Sequence, residues 1–159
     1  MKILAIDPAT KCGWAHSNGS CGVWDLSIRS DESNGMRLIR LEAKLRLVLE
    51  GPGIDLIVFE GMAVGSGPKS NFHTLKVQSQ LQAVIERFCQ ATDGVECCSF
   101  HLQTIKKHAI PGLGKRRDKE SMVAAAKEKW PDVEIEDDNV ADALWILDLA
   151  MEEYGGGSE

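Results

Sequence analysis

The chain has 159 residues, 43% apolar and 26% charged, with a formal net charge of −6 and a pI near 5.3. These values suit one globular domain and exclude collagen, coiled-coil and disordered classes. The longest apolar runs, such as residues 56–59, fall far short of the roughly 20 residues of a membrane span. Cys12, Cys21, Cys89, Cys97 and Cys98 form no CxxC pair, which argues against a disulfide framework or zinc site and fits a reducing compartment. No charged-then-apolar leader opens the sequence, so a cytosolic location without a membrane partner is expected.

Residues 1–6 (MKILAI) form a short apolar run that Asp7-Pro8 ends, a buried strand stopping at a turn. Residues 13–17 and 22–27 alternate weakly around Ser-Asn-Gly-Ser, a hairpin signal, so three antiparallel strands are expected first. Residues 34–49 carry Met36, Ile39, Leu41, Leu45 and Leu49 between polar residues and read as a helix, which Gly51-Pro52-Gly53 stops. Residues 54–59 are almost continuously apolar, as in a strand covered on both faces, and lead into Glu60-Gly61. After a Gly-rich loop (63–68), helix is expected at about 71–90, strand at 95–100, and helices at 104–108, 117–130 and 138–154. The last reads as amphipathic, with Val140, Leu144, Leu147 and Met151 on one side. Trp14, Trp24 and Trp145 read as core, and Cys97-Cys98 as small apolar strand residues. This order of elements predicts an α/β fold, a mixed five-stranded sheet flanked by helices, in one domain over 1–154 with a disordered tail at 155–159.

The charge is unevenly placed. Residues 1–100 are nearly balanced at −1, residues 101–130 carry +5, and residues 131–159 hold ten acids and no base. A basic block can meet phosphates and an acidic one can hold a divalent metal, although a solvated helix face and an acidic tail would look the same.

Three carboxylates fall where sheet proteins place their sites. Asp7 and Glu60 end apolar strands, and ligands in open α/β sheets bind outside the strands' carboxyl ends. Asp142 lies in the first turns of the last helix. Asp7 could instead serve an Asp-Pro turn, and Asp142 could serve helix capping. Carboxylates meeting at one point repel one another unless a cation neutralises them, and oxygen-only ligands favour Mg²⁺ or Mn²⁺. Two such ions about 4 Å apart can activate water against a phosphodiester.

Five segments in order, ILAIDPATKCGWA, DLIVFEG, TLKVQSQLQAVIE, IKKHAIPGLGKRRDKESMV and DDNVADALWI, make the chain resemble the RuvC-type Holliday junction resolvases of the ribonuclease-H-like superfamily. The resemblance runs over residues 1–150. It implies a crossover junction endodeoxyribonuclease that cuts four-way DNA junctions in recombination and repair, with two Mg²⁺ ions for which Mn²⁺ can substitute. It carries metal-ligand roles onto Asp7, Glu60 and Asp142, and catalytic lysine roles onto Lys76 and Lys119. The family's fourth ligand, three residues before the last aspartate, falls on Asn139, whose amide oxygen can still ligate, with neighbouring Asp138 a further candidate. Lys106, Lys107, Lys115, Arg116 and Arg117 are expected to bind backbone phosphates outside the metal site, and His73 to contact DNA.

Where the family often has an aromatic wedge three residues after the glutamate, this chain has Ala63, so either Phe72, the nearest aromatic, takes over that DNA contact from a longer loop or the protein opens junctions differently. Cutting of branched DNA beyond four-way junctions fits that departure, as does a phage gene expressed in a bacterial cytosol. The resemblance also implies a homodimer. The helix at 71–90, with Leu75, Val77, Leu81, Val84, Ile85 and Phe88, is expected to form its interface. A YqgF-type nuclease, acting on RNA or branched DNA, and a non-catalytic junction-binding module are the competing readings.

Overall fold

The computed structural model describes residues 1–62 and 71–156. The expected Gly-rich loop, position 63 and residues 157–159 lie outside the described residues. Five strands form one mixed sheet in the order β3-β2-β1-β4-β5. They are β1 (Ile3–Asp7), β2 (Lys11–His16), β3 (Cys21–Asp25), β4 (Leu56–Glu60) and β5 (Glu96–Phe100). The first three are antiparallel neighbours, and β4 and β5 extend the sheet in parallel to β1, as the element order predicts. The helices are α1 (Gly35–Glu50), α2 (Phe72–Gln90), α3 (Leu102–Ala109), α4 (Lys119–Lys129) and α5 (Asp138–Tyr154). Among the described residues no helix is long and apolar enough to cross a membrane.

The period-two alternation of the central strands explains the layering. Ile3 and Ala5 of β1, with Leu56 and Val58 of β4, turn to one face and pack against α3, α4 and α5. Leu4, Ile6, Ile57 and Phe59 turn to the other and pack against α1 and α2. Both faces are covered, so these strands read as unbroken apolar runs, and each fully buried side chain contributes about 1.5–3 kcal/mol.

Two helix faces differ from the sequence reading. In α5 the buried set is Val140, Ala141, Ala143, Leu144, Trp145, Ile146, Leu149 and Ala150, while Leu147 is half-buried and Met151 exposed. Alanines hide apolar surface that large side chains advertise, so this helix lies flatter on the sheet than its Leu and Met positions suggest. In α2, Val77, Leu81, Ile85 and Phe88 are spent on the chain's own core beside α1 and β5. Leu75 and Val84 are half-buried, and Phe72 at the start of the helix is exposed.

The three tryptophans behave as core. Trp14 stacks on Trp24 with ring centroids 5.4 Å apart, and Trp145 Nε1 donates to Met122 O at 3.1 Å. Buried His16 is structural: its Nδ1 accepts from Asn18 N–H, so its Nε2 donates to Gly53 O at 2.9 Å.

Candidate active site

Strand register builds the site. In the parallel β1–β4 pair Ile6 lies opposite Phe59, so Asp7 and Glu60 are the next residues at the carboxyl ends of adjacent central strands. By alternation both follow Ala5 and Val58 onto the face that α5 covers. Helix α5 brings Asp142 to them. Its first turn is fixed by Asp137, which caps the helix by accepting from Asn139 N–H and Val140 N–H at 3.0 and 3.2 Å. The helix reaches this position because β2 has no side chain where it passes. Gly13 pairs with Asp7 across β1–β2, and a Cβ there would lie 1.9 Å from Asn139 O. The glycine is therefore a site residue that sequence reading misses, since its role lies in a neighbour more than 120 positions away.

Asp7, Glu60, Lys106, Lys119, Asp138, Asn139 and Asp142 line one cleft of about 290 Å³, together with Gln78 of α2. Glu60 is steadied from behind by Gln82 Nε2, which donates to its carbonyl oxygen at 3.0 Å. Burial raises the Asp7 carboxyl to about 7, with repulsion from Glu60 and Asp138 adding to it. Burial likewise lifts Glu60 to about 7, helped by Asp142, and Asp142 to about 7, helped by Asp7 and Asp138. Lys119 and Lys106 act against those shifts. Asp138 behaves differently, because the Lys119 ammonium bonded to it holds its carboxyl below the usual range.

This donor set fits a hard divalent cation. It is all oxygen, and burial with mutual repulsion raises its three carboxyls, a penalty that a bound cation would relieve. Among the described residues no three His, Cys, Asp or Glu side chains converge closely enough to surround one ion, so the carboxylates share a cleft without closing on a point. Asn139 directs its Nδ2 to Asp137 Oδ2 at 3.1 Å, which leaves its amide oxygen as the available donor atom. Helix α5 begins at Asp138 and not later, and that residue's carboxylate is taken by Lys119 at 2.5 Å.

Several expected residues stand elsewhere. The sequence reading sets Lys106 outside the metal site, yet it lines the cleft. Lys76 is exposed on α2 and does not line the cleft; Gln78, two positions on, does. Lys107, Lys115 and Arg116 are exposed, and Arg116 pairs with Asp118. Arg117 is turned to its own loop, donating to Ile110 O and Gly112 O at 2.8 and 2.7 Å. Phe72 is exposed at the start of α2. His73 lines a second cavity of about 250 Å³ that shares Ala9, Gln78 and Asn139 with the cleft. His101 caps α3 by accepting from Gln103 N–H, and His108 bonds Asp148, so neither belongs to the site.

No protein-family model matches the chain, and no curated protein matches it in sequence. The fold is that of the RuvC-type resolvases. It matches Thermus thermophilus RuvC in complex with a Holliday junction substrate at 15% identity and a TM-score of 0.74, over 98% of this chain and 96% of that one. A second Thermus thermophilus RuvC structure matches at 15% and 0.71, over 98% and 97%. The yeast mitochondrial Holliday junction resolvase matches at 15% and 0.61, over 96% and 80%.

Proposed function

We propose that this chain is a divalent-metal-dependent endonuclease that resolves four-way DNA junctions, a single catalytic domain over residues 1–154. One observation carries the reading. Asp7 and Glu60, at the ends of adjacent strands, face Asp142 across one cleft that Lys106 and Lys119 also enter. Asp7, Glu60 and Asp142 would hold Mg²⁺ or Mn²⁺, with the Asn139 amide oxygen as a weaker ligand. Divalent ions bound there would activate water and stabilise the leaving oxygen, giving 5′-phosphate and 3′-hydroxyl ends. Lys106 and Lys119 offset charge that develops on the phosphoryl oxygens. Lys107, Lys115 and Arg116 hold the DNA backbone outside the cleft, while Phe72 and His73 at the start of α2 contact DNA beside it.

Paired cuts across a junction need two active sites, which makes the working unit a homodimer. Exposed apolar surface that such a dimer could use lies at Ile39 and Leu47 of α1 and at Phe72 of α2.

The test is cleavage of a labelled immobile four-way junction beside a replication fork, a linear duplex and an RNA hairpin, in Mg²⁺ and in EDTA. Paired symmetric nicks confined to the junction and lost in EDTA are expected. Equal cutting of forks moves the reading to a broad branched-DNA nuclease, and cutting of RNA alone to the YqgF type. Tight junction binding without cutting leaves a binding module.

A further inference from the structure

Helix α2 carries a polar row at four-residue spacing, Thr74, Gln78 and Gln82, beside the buried row Val77, Leu81 and Ile85. Gln82 fixes this row, because its amide donates to Glu60 O at the end of β4 at 3.0 Å. Gln78, one turn nearer the start of the helix, is thereby held in the wall between two cavities. One is the carboxylate cleft. The other, of about 250 Å³, shares Ala9, Gln78 and Asn139 with the cleft and adds Thr10 and Thr74.

The polar groups of this wall differ in what they can still bind. Asn139 Nδ2 is committed to Asp137, Lys119 to Asp138, and Lys11, which lines the second cavity, to Asp25. The Gln78 amide is half-buried and makes no hydrogen bond among the described residues, and it is not sealed from solvent. It is also uncharged. A cation at this point would be drawn onto the carboxylates, as Lys119 is onto Asp138, and an acid would add to the repulsion that already raises Asp7, Glu60 and Asp142. An amide does neither, so its Nε2 stays free to donate to an anionic oxygen, and such charge-assisted bonds are roughly twice as strong as neutral ones.

A ligand that occupies both cavities must present anionic oxygens at a repeat. A DNA strand does so, with one phosphodiester in the cleft and the next unit in the second cavity, where Thr10 and Thr74 offer hydroxyls to sugar and phosphate oxygens. We propose that Gln78 positions the cleaved strand, its Nε2 donating to the phosphate next to the scissile one where the strand passes from the cleft into the second cavity. The proposal rests on the reading of the chain as a junction nuclease and adds to it the group that sets which phosphate lies over the carboxylates.

The test uses full-length protein and four-way junctions in which each phosphate flanking the cleavage site is replaced, one at a time, by a methylphosphonate, which lacks the charged oxygen. Gln78→Met keeps the length of the side chain and removes its N–H groups. It should melt at the wild-type temperature and cut the unmodified junction about tenfold more slowly in Mg²⁺, as expected for one hydrogen bond to a charged acceptor. With wild-type protein, the methylphosphonate next to the scissile position should slow cutting by about the same factor, and in EDTA it should weaken binding more than its neighbours do. In Gln78→Met that position should no longer stand out in either measurement, because the two changes remove one contact. Gln78→Glu, which sets an anion against the phosphate, should cut more slowly than Gln78→Met.

If no phosphate next to the scissile one stands out in the wild-type protein, the proposal is overturned whether or not the variants fold, and the nuclease reading stands. Losses that simply add in Gln78→Met place the side chain's action elsewhere and also overturn it. Cutting by Gln78→Glu at or above the wild-type rate, with a larger Mg²⁺-induced rise in melting temperature, makes residue 78 a metal ligand and removes the phosphate contact. Wild-type protein that neither binds nor cuts the unmodified junction overturns both readings.

Discussion

Lys119 Nζ lies 2.5 Å from Asp138 Oδ2 at the outer rim of the cleft. Both groups are partly solvated, so the pair is worth little in stability, about 0–1 kcal/mol. Its effect is on charge. The pair keeps Asp138 ionised with its partner already in place, whereas Asp7, Glu60 and Asp142 are all raised to about 7 and have no partner of that kind.

On the proposed function, that difference would separate ligand from bystander. Asp142→Asn should slow junction cleavage by about 10³-fold or more, since several kcal/mol of transition-state stabilisation goes with a metal ligand. Asp7→Asn should do the same while junction binding survives. Asp138→Asn should stay within about tenfold of wild type, the scale of one solvated charge pair. Single-turnover cleavage of a labelled junction measures all three. Collapse of binding in Asp7→Asn would make that residue structural, and an Asp138→Asn protein as dead as Asp142→Asn would make Asp138 a ligand.

The raised carboxyls also predict a pH dependence of folding in metal-free protein. A folded carboxyl near 7 against an unfolded one near 4 binds more protons when folded between those values, so stability falls as pH rises through that window. In EDTA the melting temperature should therefore drop between about pH 4 and pH 7 and level off above. Asp7→Asn should flatten the drop and stabilise the metal-free protein at pH 8 by on the order of 1 kcal/mol. A melting curve that rises over that window would show that the three groups are not held as described.

Saturating Mg²⁺ or Mn²⁺ should reverse that loss at pH 8. Binding to the folded state alone at about a hundredfold excess over Kd stabilises by roughly 2.7 kcal/mol. Thermal melts at increasing metal concentration check this, and Asp142→Asn should remove most of the rise.

Gly13→Ala tests the close approach of α5. With a Cβ 1.9 Å from Asn139 O, either the helix or the strand must shift, at a cost of about 1–3 kcal/mol. Because the shift moves Asn139 and Asp142 relative to Asp7, cleavage should fall further than the melting temperature alone explains. Gly156→Ala, where the Cβ meets nothing within 4 Å, is the control. Denaturant melts and cleavage rates on both variants decide it.

The basic loop has a salt signature. Lys115→Gln with Arg116→Gln should lower the slope of log K against log salt by roughly two, about one for each phosphate that is no longer neutralised. Junction binding measured across a salt series reads this directly, and an unchanged slope would put the DNA elsewhere.

Much of this is legible in the sequence. Strands buried on both faces write themselves as apolar runs, so β1 and β4 and the acids that end them can be found from MKILAID and LIVFE. The +5 block and the acid-rich end that follows it can also be read directly. Asp142 can be located on the last helix by its place in DDNVADALWI.

Tertiary structure decides how the helices are turned. Periodicity gives the spacing of a helix's residues but not the angle at which it meets the sheet. Thus Gln78 lines the cleft where Lys76 is the expected residue, Lys106 joins it, and Val77, Leu81, Ile85 and Phe88 of α2 go into the core. Gly13 belongs to the same class, since its missing Cβ matters only because the backbone of Asn139 passes over it. Local sequence determines which segments bury themselves and where carboxylates end strands. Which side chains share a cleft depends on the meeting of elements far apart in the chain, and that is set only when the layers pack.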